Sequence, residues 1–131
     1  MDTFRRSRAG YHRMLAAMAR AGNDVVGDHV LNEPWRIADL LDVLDGIPVL
    51  LVHATASLEE LERRERERGD REVGTARAQL DVVFAHGDCD LAIDTTGTSS
   101  VAAARAVTAL VQEWPARTAF DRMRTRSLPL R

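Results

Sequence analysis

The six residues Ile47-Pro48-Val49-Leu50-Leu51-Val52 form the longest apolar run of the chain, and their number limits what they can become. A helix that crosses a bilayer needs about 20 apolar residues, so this run is far too short to span a membrane. A continuous apolar run of four to eight residues is instead typical of a strand that is buried on both faces of a sheet. We therefore predict a buried strand over residues 49–52, and the fold class depends on what flanks it.

Helix and strand patterns alternate after this strand. Ser57-Leu58-Glu59-Glu60 is a capping box, in which Ser57 caps a charged helix and Glu60 reaches back to it. Apolar residues at helical spacing predict a second helix over residues 73–84. Leu91-Ala92-Ile93 is a further short apolar strand, and an alanine-rich helix is predicted after it over residues 101–114.

The same alternation extends before the first apolar run. Residues 4–21 carry apolar side chains at helical spacing, and Val25-Val26 lies between two aspartates in a short buried-strand pattern. Pro34 suits the first position of another helix, predicted over residues 34–44. Strands that alternate with helices predict an α/β fold with a parallel sheet and helices on both of its faces.

Composition excludes several classes of function. A chain of 131 residues fits one domain, and its net charge of -2 creates no strong field toward nucleic acid or anionic membranes. All 18 basic residues are arginine, so mechanisms that need a lysine are excluded for this chain. The single cysteine, Cys89, cannot form an internal disulfide, and no Cys or His cluster has metal-ligand spacing. Because residues 1–6 lack the apolar core of a signal peptide, we predict a cytoplasmic protein.

Polar residues follow each predicted strand. Asp28 and His29 follow the first strand, His53 follows the second, and Asp94-Thr95-Thr96 follows the third. Since ligands of parallel sheets bind beyond the carboxyl ends of the strands, we expect these residues along one edge of the sheet. The other two histidines, His12 and His86, fall on helices or their ends, where a structural role is the commoner one.

The candidate residues at this edge also have structural interpretations. Asp28 could hold Mg²⁺ through water or position a hydroxyl, whereas an aspartate that caps the next turn is the slightly favoured alternative. Asp94-Thr95-Thr96 could offer backbone groups to a nucleotide base, and its hydroxyls could equally cap the helix that follows.

The arginines of the charged helix admit two interpretations as well. One is a lid whose guanidinium groups clamp a transferring phosphate; the other is a solvated helix with Glu–Arg pairs at helical spacing. For Arg63 and Arg66 the solvated helix is favoured. Arg68-Gly69-Asp70-Arg71 favours the lid, because a glycine between two arginines indicates a hinge. Residues 116–131 carry five arginines with little periodicity, and we predict a flexible basic tail there.

Several blocks of the sequence resemble the chloramphenicol phosphotransferase-like family, in the same order and over residues 4–107. In chain order they are Ala9-Gly10-Tyr11-His12-Arg13, Ala19-Arg20-Ala21-Gly22-Asn23, Leu31-Asn32-Glu33-Pro34-Trp35-Arg36, Leu61-Glu62-Arg63-Arg64-Glu65-Arg66-Glu67-Arg68-Gly69-Asp70-Arg71 with Gly74, Ala76 and Gln79 after it, His86-Gly87, and Asp90-Leu91-Ala92-Ile93-Asp94-Thr95-Thr96.

The resemblance implies a P-loop kinase fold that uses ATP and Mg²⁺ to phosphorylate a hydroxyl of a small molecule, which in the founding member is an antibiotic. It implies that Arg68 and Arg71 are lid arginines and that Asp94, Thr95 and Thr96 lie near the adenine. It also matches Asp28 to the first of two aspartates after a strand. It divides the chain into a partial kinase domain over residues 1–115 and the tail over residues 116–131.

The sequence departs from the family pattern at three places. His29 stands where the family has the second aspartate, and Gly27 replaces a β-branched residue. The family's phosphate loop, G-x-x-x-x-G-K-[ST], and the base-bearing strand after it have no match in this chain. In the family this loop directly follows the central strand of the sheet. We therefore expect Val25-Val26 and residues 49–52 to lack the strand that lies between them, and their apolar edges to be exposed.

Three functional hypotheses follow. The first is an ATP-dependent phosphotransferase present as an incomplete, inactive chain, and the second is a non-catalytic remnant or small-molecule binding module. The third, a nucleic-acid-binding protein, is the weakest because acidic residues interleave with the arginines and aromatic residues make up only 5% of the chain. An in-frame G-x-x-x-x-G-K-[ST] encoded upstream of Met1 would separate the first from the second.

Overall fold

The computed structural model describes residues 2–69 and 73–127 and confirms the α/β class. Within that part of the chain, six helices and two strands follow one another: α1 Thr3–Arg20, α2 Pro34–Val43, β1 Val52–Thr55, α3 Leu58–Arg68, α4 Thr75–Leu80, β2 Leu91–Asp94, α5 Ser100–Gln112 and α6 Ala119–Ser127. None of the helices found there is long and apolar enough to cross a membrane.

The predicted helix starts follow from local capping. The Ser57 hydroxyl accepts a hydrogen bond from the Glu60 N–H at 3.3 Å, so the capping box starts α3 where the sequence places it. Gly69 ends α3 in the left-handed conformation with φ of 63°, which a residue with a Cβ adopts only at a cost. The predicted start and end of the helix that carries Arg68, one of the two candidate lid arginines, are therefore confirmed.

The sheet is parallel, as predicted, and consists of β1 and β2 in the described residues. Val52 pairs with Leu91 and Thr55 with Asp94, so the carboxyl ends of both strands lie side by side. The first of these strands begins at Val52, whereas the sequence predicted residues 49–52. The side chains of Val49 and Leu51 are partly buried and pack against the core. This packing explains why the run is apolar although residues 49–51 are not part of a strand.

The strand predicted at Val25-Val26 is wrong. This segment has no strand partner among the described residues, and Val26 is fully exposed, with a relative accessibility of 101%. A strand is stabilised by a neighbour that satisfies its backbone groups, and propensity alone does not supply one. The expected exposure of apolar side chains is seen at Val25 and Val26 and is not seen at residues 49–52, which are partly buried.

The structure also corrects the prediction of a flexible tail after residue 115. Residues 119–127 form α6, and Ala119, Phe120 and Met123 are buried in the core against Ala16 of α1 and Leu40 of α2. Polar contacts hold this helix as well, because Arg122 pairs with Asp88 at 2.7 Å and the Arg124 guanidinium donates to the Leu41 carbonyl. The arginines of this segment therefore face specific acceptors.

The Asp90 carboxylate, directly before β2, binds backbone N–H groups at the approach to β1 and at the start of α6. Its side chain is 1% exposed, and its carboxylate accepts hydrogen bonds from the Leu51 N–H at 2.8 Å and the Ala119 N–H at 2.7 Å. We expect Asp90→Ala to lower the free energy of unfolding by about 2 kcal/mol, because it leaves two buried N–H groups without an acceptor. Urea unfolding would measure this loss, with Asp45→Ala as the control since the Asp45 side chain is 79% exposed. Equal stability of the two variants would contradict the bridging role of Asp90.

Candidate functional site

The loop after β2 is held against the end of β1 and the start of α3. Thr95 donates to the Thr55 carbonyl through both its N–H, at 2.7 Å, and its hydroxyl, at 2.8 Å. The Thr96 hydroxyl accepts from the Ser57 N–H at 2.7 Å. Hydrogen bonds from Thr96 lower the pKa of Asp94, whose carboxylate accepts from the Thr96 N–H at 2.9 Å. The three sequence-predicted residues of this loop thus lie together at the carboxyl edge of the sheet.

Arg64 connects this loop to the charged helix. Its guanidinium donates to the Thr95 hydroxyl and to the Thr95 carbonyl, both at 2.9 Å, and to Glu60 at 2.6 Å. Nothing in the sequence distinguishes Arg64 from the other arginines of the charged helix, because they share a run of interleaved Glu and Arg residues. The sequence indicates its pairing with Glu60, which lies four residues earlier on the same helix. It does not indicate the contact with Thr95, which is 31 residues away along the chain.

The remaining arginines of α3 differ in their contacts. Arg63 pairs with Glu60 at 2.8 Å and also with Glu67, as the solvated-helix interpretation predicts. Arg68 and Arg66 are exposed and have no acidic partner among the described residues. Arg71, the other predicted lid arginine, lies outside the described residues. The lid role of both Arg68 and Arg71 stays a prediction.

A buried carboxylate on α3 binds the start of α4. Glu65 is 7% exposed, and its two carboxylate oxygens accept from the Gly74 N–H and the Ala76 N–H, each at 2.9 Å. These donors belong to the N-terminus of α4, where backbone N–H groups have no partner within the helix. Glu65 therefore ties α4 to α3 across the segment of Arg68 and Arg71.

Asp28 and His29 lie on the extended segment between α1 and α2. The Tyr11 hydroxyl donates to the Asp28 carbonyl at 3.0 Å, and a Cβ on Gly27 would lie within 3.1–3.2 Å of Leu15 and Tyr11 side-chain atoms. The close approach to α1 explains a glycine where the family has a β-branched residue. The Asp28 carboxylate is exposed and accepts no hydrogen bond from the backbone N–H of another described residue, so the turn cap that the sequence analysis favoured is not seen there.

Three side chains form a hydrogen-bonded chain beside Asp28, which we call the Asp39–His12–His29 relay. His12 is completely buried; its Nδ1 lies 2.6 Å from Asp39 Oδ2, and its Nε2 lies 2.7 Å from Nε2 of His29. Arg13 also donates to both carboxylate oxygens of Asp39, at 3.2 and 3.3 Å. This burial is consistent with the structural role expected for His12, and the residue also connects His29 to a carboxylate.

The surroundings of His29 keep its ring neutral. Burial is the largest cause, and the neighbouring His12, Arg36 and Arg8 add to it, so that the pKa of His29 falls to about 4. The nearby Asp28 acts in the opposite direction. At neutral pH His29 therefore offers an unprotonated ring nitrogen, in contrast to the aspartate that the family carries at this position.

His53 does not join the edge residues as predicted. It lies inside β1, two residues before the end of the strand, and its ring stacks on Phe84 with 4.2 Å between centroids. No hydrogen bond or ion pair between described residues links the loop at Asp94 with the segment at Asp28. The structure therefore defines two polar groups, one around Thr95 and Arg64 and one around His29.

The described residues match only part of what ATP with Mg²⁺ requires. They contain no group of three or more His, Cys, Asp or Glu that could hold a metal, although a Mg²⁺ bound mainly by phosphates and water needs only one or two carboxylates. Asp28 is an exposed carboxylate that could supply one. The Thr95 and Thr96 hydroxyls are already engaged in the protein, so contacts to a base would fall to backbone groups of this loop.

The parallel pairing, the capped charged helix and the loop that it holds at the sheet edge are those of an α/β protein and are compatible with a fold of the P-loop kinase type. The sequence profile described as chloramphenicol phosphotransferase-like protein matches residues 1–112. The chain therefore belongs to the chloramphenicol phosphotransferase-like family, as the sequence blocks indicated.

Two curated relatives come from Mycobacterium tuberculosis, strains CDC 1551 and H37Rv, and both are named provisionally as O-phosphotransferases. Each is 35% identical over 117 residues, which is 89% of this chain and 52% of the relative. The chain thus spans about half the length of the curated relatives it matches. No solved structure gave a significant match.

Proposed function

We propose that this chain supplies the lid and the acceptor-binding part of an ATP-dependent phosphotransferase that phosphorylates a hydroxyl of a small molecule. The observation that carries the proposal is the double hydrogen bond from Arg64 to Thr95, which couples the charged helix α3 to the loop at the carboxyl edge of the sheet. Movement of α3 would therefore also move the loop of Thr95, which the family resemblance places near the adenine. Such coupling suits a lid that closes over a bound nucleotide.

Each group of residues has a different role in this proposal. Bound ATP would supply the transferable phosphoryl group, with Mg²⁺ to neutralise its charge. Asp94, Thr95 and Thr96 would face the base, and Arg68 and Arg71 would close on the phosphates. Asp28 would hold Mg²⁺ through water or position the acceptor hydroxyl. The 131 residues contain no phosphate loop, and no step at the phosphate groups is derived from them alone.

A second candidate function is a small-molecule binding module without catalysis. The absence of any lysine, and with it of G-x-x-x-x-G-K-[ST], favours this candidate for the 131 residues by themselves. Most of the electrostatic stabilisation of phosphoryl transfer comes from such a loop and its metal ion. The two candidates therefore differ in what happens when the loop is supplied.

We expect the 131-residue chain to transfer no phosphate from γ-labelled ATP and Mg²⁺ to chloramphenicol or to other hydroxyl compounds. The same assay on a form that begins upstream of Met1 and includes an in-frame phosphate loop should show transfer. Alanine in place of that loop's lysine is the matched control, and it should abolish the transfer. Transfer by the 131-residue chain alone would refute the need for the loop, and inactivity of both forms on all acceptors would leave the binding module as the function.

A further inference from the structure

The ring nitrogens of the Asp39–His12–His29 relay can be assigned from its acceptor end. Although burial acts in the opposite direction, hydrogen bonds from His12 and Arg13 hold the pKa of Asp39 below its ordinary value, so its carboxylate is an acceptor at neutral pH. His12 must then donate to it from Nδ1. Arg13 already offsets the charge of Asp39, so this carboxylate does not require a second positive charge on the fully buried His12.

This assignment determines the state of His29. A His12 with a single ring proton, donated from Nδ1 to Asp39, has only a lone pair on Nε2, and His29 then donates from its own Nε2 across the 2.7 Å contact. The proton of neutral His29 is then fixed on Nε2, and its Nδ1 carries a lone pair. Nδ1 of His29 has no hydrogen-bond partner among the described residues. A group that binds next to His29 therefore meets an acceptor.

The position of this nitrogen suits a ligand with a hydroxyl group. His29 is half-buried, and the exposed apolar side chains of Val26 and Val30 lie on the same segment. The rings of Tyr11 and His29 form a T-shaped pair with 5.5 Å between their centroids, and the Tyr11 ring limits the directions from which a ligand can approach His29. A neutral ring nitrogen beside an apolar surface can accept a hydrogen bond from a hydroxyl and so orient it. Unlike a carboxylate at this position, the ring nitrogen carries no charge.

We propose that His29 is a substrate-positioning residue whose Nδ1 accepts a hydrogen bond from a hydroxyl of the phosphoryl acceptor, and that His12 and Asp39 hold His29 in the tautomer required. The inference rests on the proposed phosphotransferase function for the identity of its ligand. It assigns a role to the position where this chain has a histidine in place of the second family aspartate. It also explains why His12 is a completely buried polar side chain.

The tautomers can be tested by ¹⁵N NMR of the purified chain with labelled histidine. We expect the proton of His12 on Nδ1 and that of His29 on Nε2. In Asp39→Asn the amide can donate to His12, which reverses both hydrogen bonds of the relay and moves the His29 proton to Nδ1. A native His29 with its proton on Nδ1, or an Asp39→Asn variant with an unchanged pattern, would overturn the relay.

Hydroxyl binding can be tested on the same sample with glycerol as the probe. Glycerol should move the His29 Nδ1 signal more than an equal concentration of dimethyl sulfoxide, which accepts hydrogen bonds but cannot donate them. His53 is the internal control, because it is half-buried too and has no relay behind it. Equal responses of His29 and His53, or equal effects of both compounds, would overturn the proposed acceptor role.

Kinetics in the form that carries the phosphate loop separate positioning from folding. We expect Asp39→Asn to lower kcat/KM for the hydroxyl acceptor on the order of tenfold or more, with KM for ATP unchanged. A parallel rise of both KM values would count against a positioning role. If the native form shows no transfer while the tautomers and the glycerol response are as expected, the assignment of His29 stands and the phosphotransferase function fails.

Discussion

Replacing Phe120 by alanine is expected to lower the free energy of unfolding by about 3–5 kcal/mol. Phe120 is 2% exposed and packs into the core cluster with Leu40 and Leu44, so its removal leaves a cavity that the rigid helices can only partly close. The loss would be large for a domain whose total stability is on the order of 5–15 kcal/mol. Thermal or urea unfolding followed by circular dichroism would measure it.

Phe4→Ala is the matched control, because it removes the same side chain from a position that is 55% exposed. Phe4 contacts the guanidinium groups of Arg8 and Arg36, so we expect a loss of only about 0.5–1 kcal/mol there. If both variants lose the same small amount, residues 119–127 do not pack in solution, and the flexible tail predicted from the sequence would be the better description.

In a form that carries the phosphate loop, Arg68→Ala is expected to lower kcat by on the order of tenfold to a thousandfold. Arg68 shares its exposure and its lack of an acidic partner among the described residues with Arg66. What distinguishes Arg68 is its place as the last residue of α3, next to Gly69, where a hinge would bring its guanidinium to a phosphate. Charge develops on the transferring phosphoryl group in the transition state, where water is excluded and such a contact is strongest. We expect the same loss for Arg71→Ala.

Arg63→Ala and Arg66→Ala are the controls on the same helix. Arg63 is held by Glu60 and Glu67 on a half-exposed face, and its loss should cost only a few tenths of a kcal/mol of helix pairing. Measurements of kcat and of thermal stability on all four variants would separate the two roles. Equal losses of kcat at all four positions would mean that the helix acts as a diffuse basic surface, which would reject the lid.

Local sequence rules predicted the helices well because the signals are local. The Ser57 capping box, Pro34 at the start of α2 and Gly69 at the end of α3 each act within a few residues, and the structure confirms all three. The strand at residues 91–93 was predicted correctly for a similar reason, since a short apolar run between turn residues has few alternatives.

The errors share a different cause, since each depends on a distant partner. Val25-Val26 has strand propensity, but no neighbouring strand among the described residues provides backbone hydrogen bonds. The segment after residue 115 has weak periodicity, yet Phe120 and Met123 complete a core that α1 and α2 provide. The arginines of this segment, which favoured the prediction of a flexible tail, bind acceptors in the fold: Arg122 pairs with Asp88, and Arg124 donates to the Leu41 carbonyl.

The sequence by itself determined the α/β class, the family and the placement of Asp94, Thr95 and Thr96 at a strand end, because these follow from short-range patterns and from the order of the blocks. Only the tertiary structure decided that Arg64 binds Thr95 and that His12 connects His29 to Asp39. These partners are 31, 17 and 27 residues apart, and no periodicity of the chain links them. They meet because the packing of α1 against α2, and of β1 against β2, fixes which side chains are buried side by side, and a buried polar group must find a partner there.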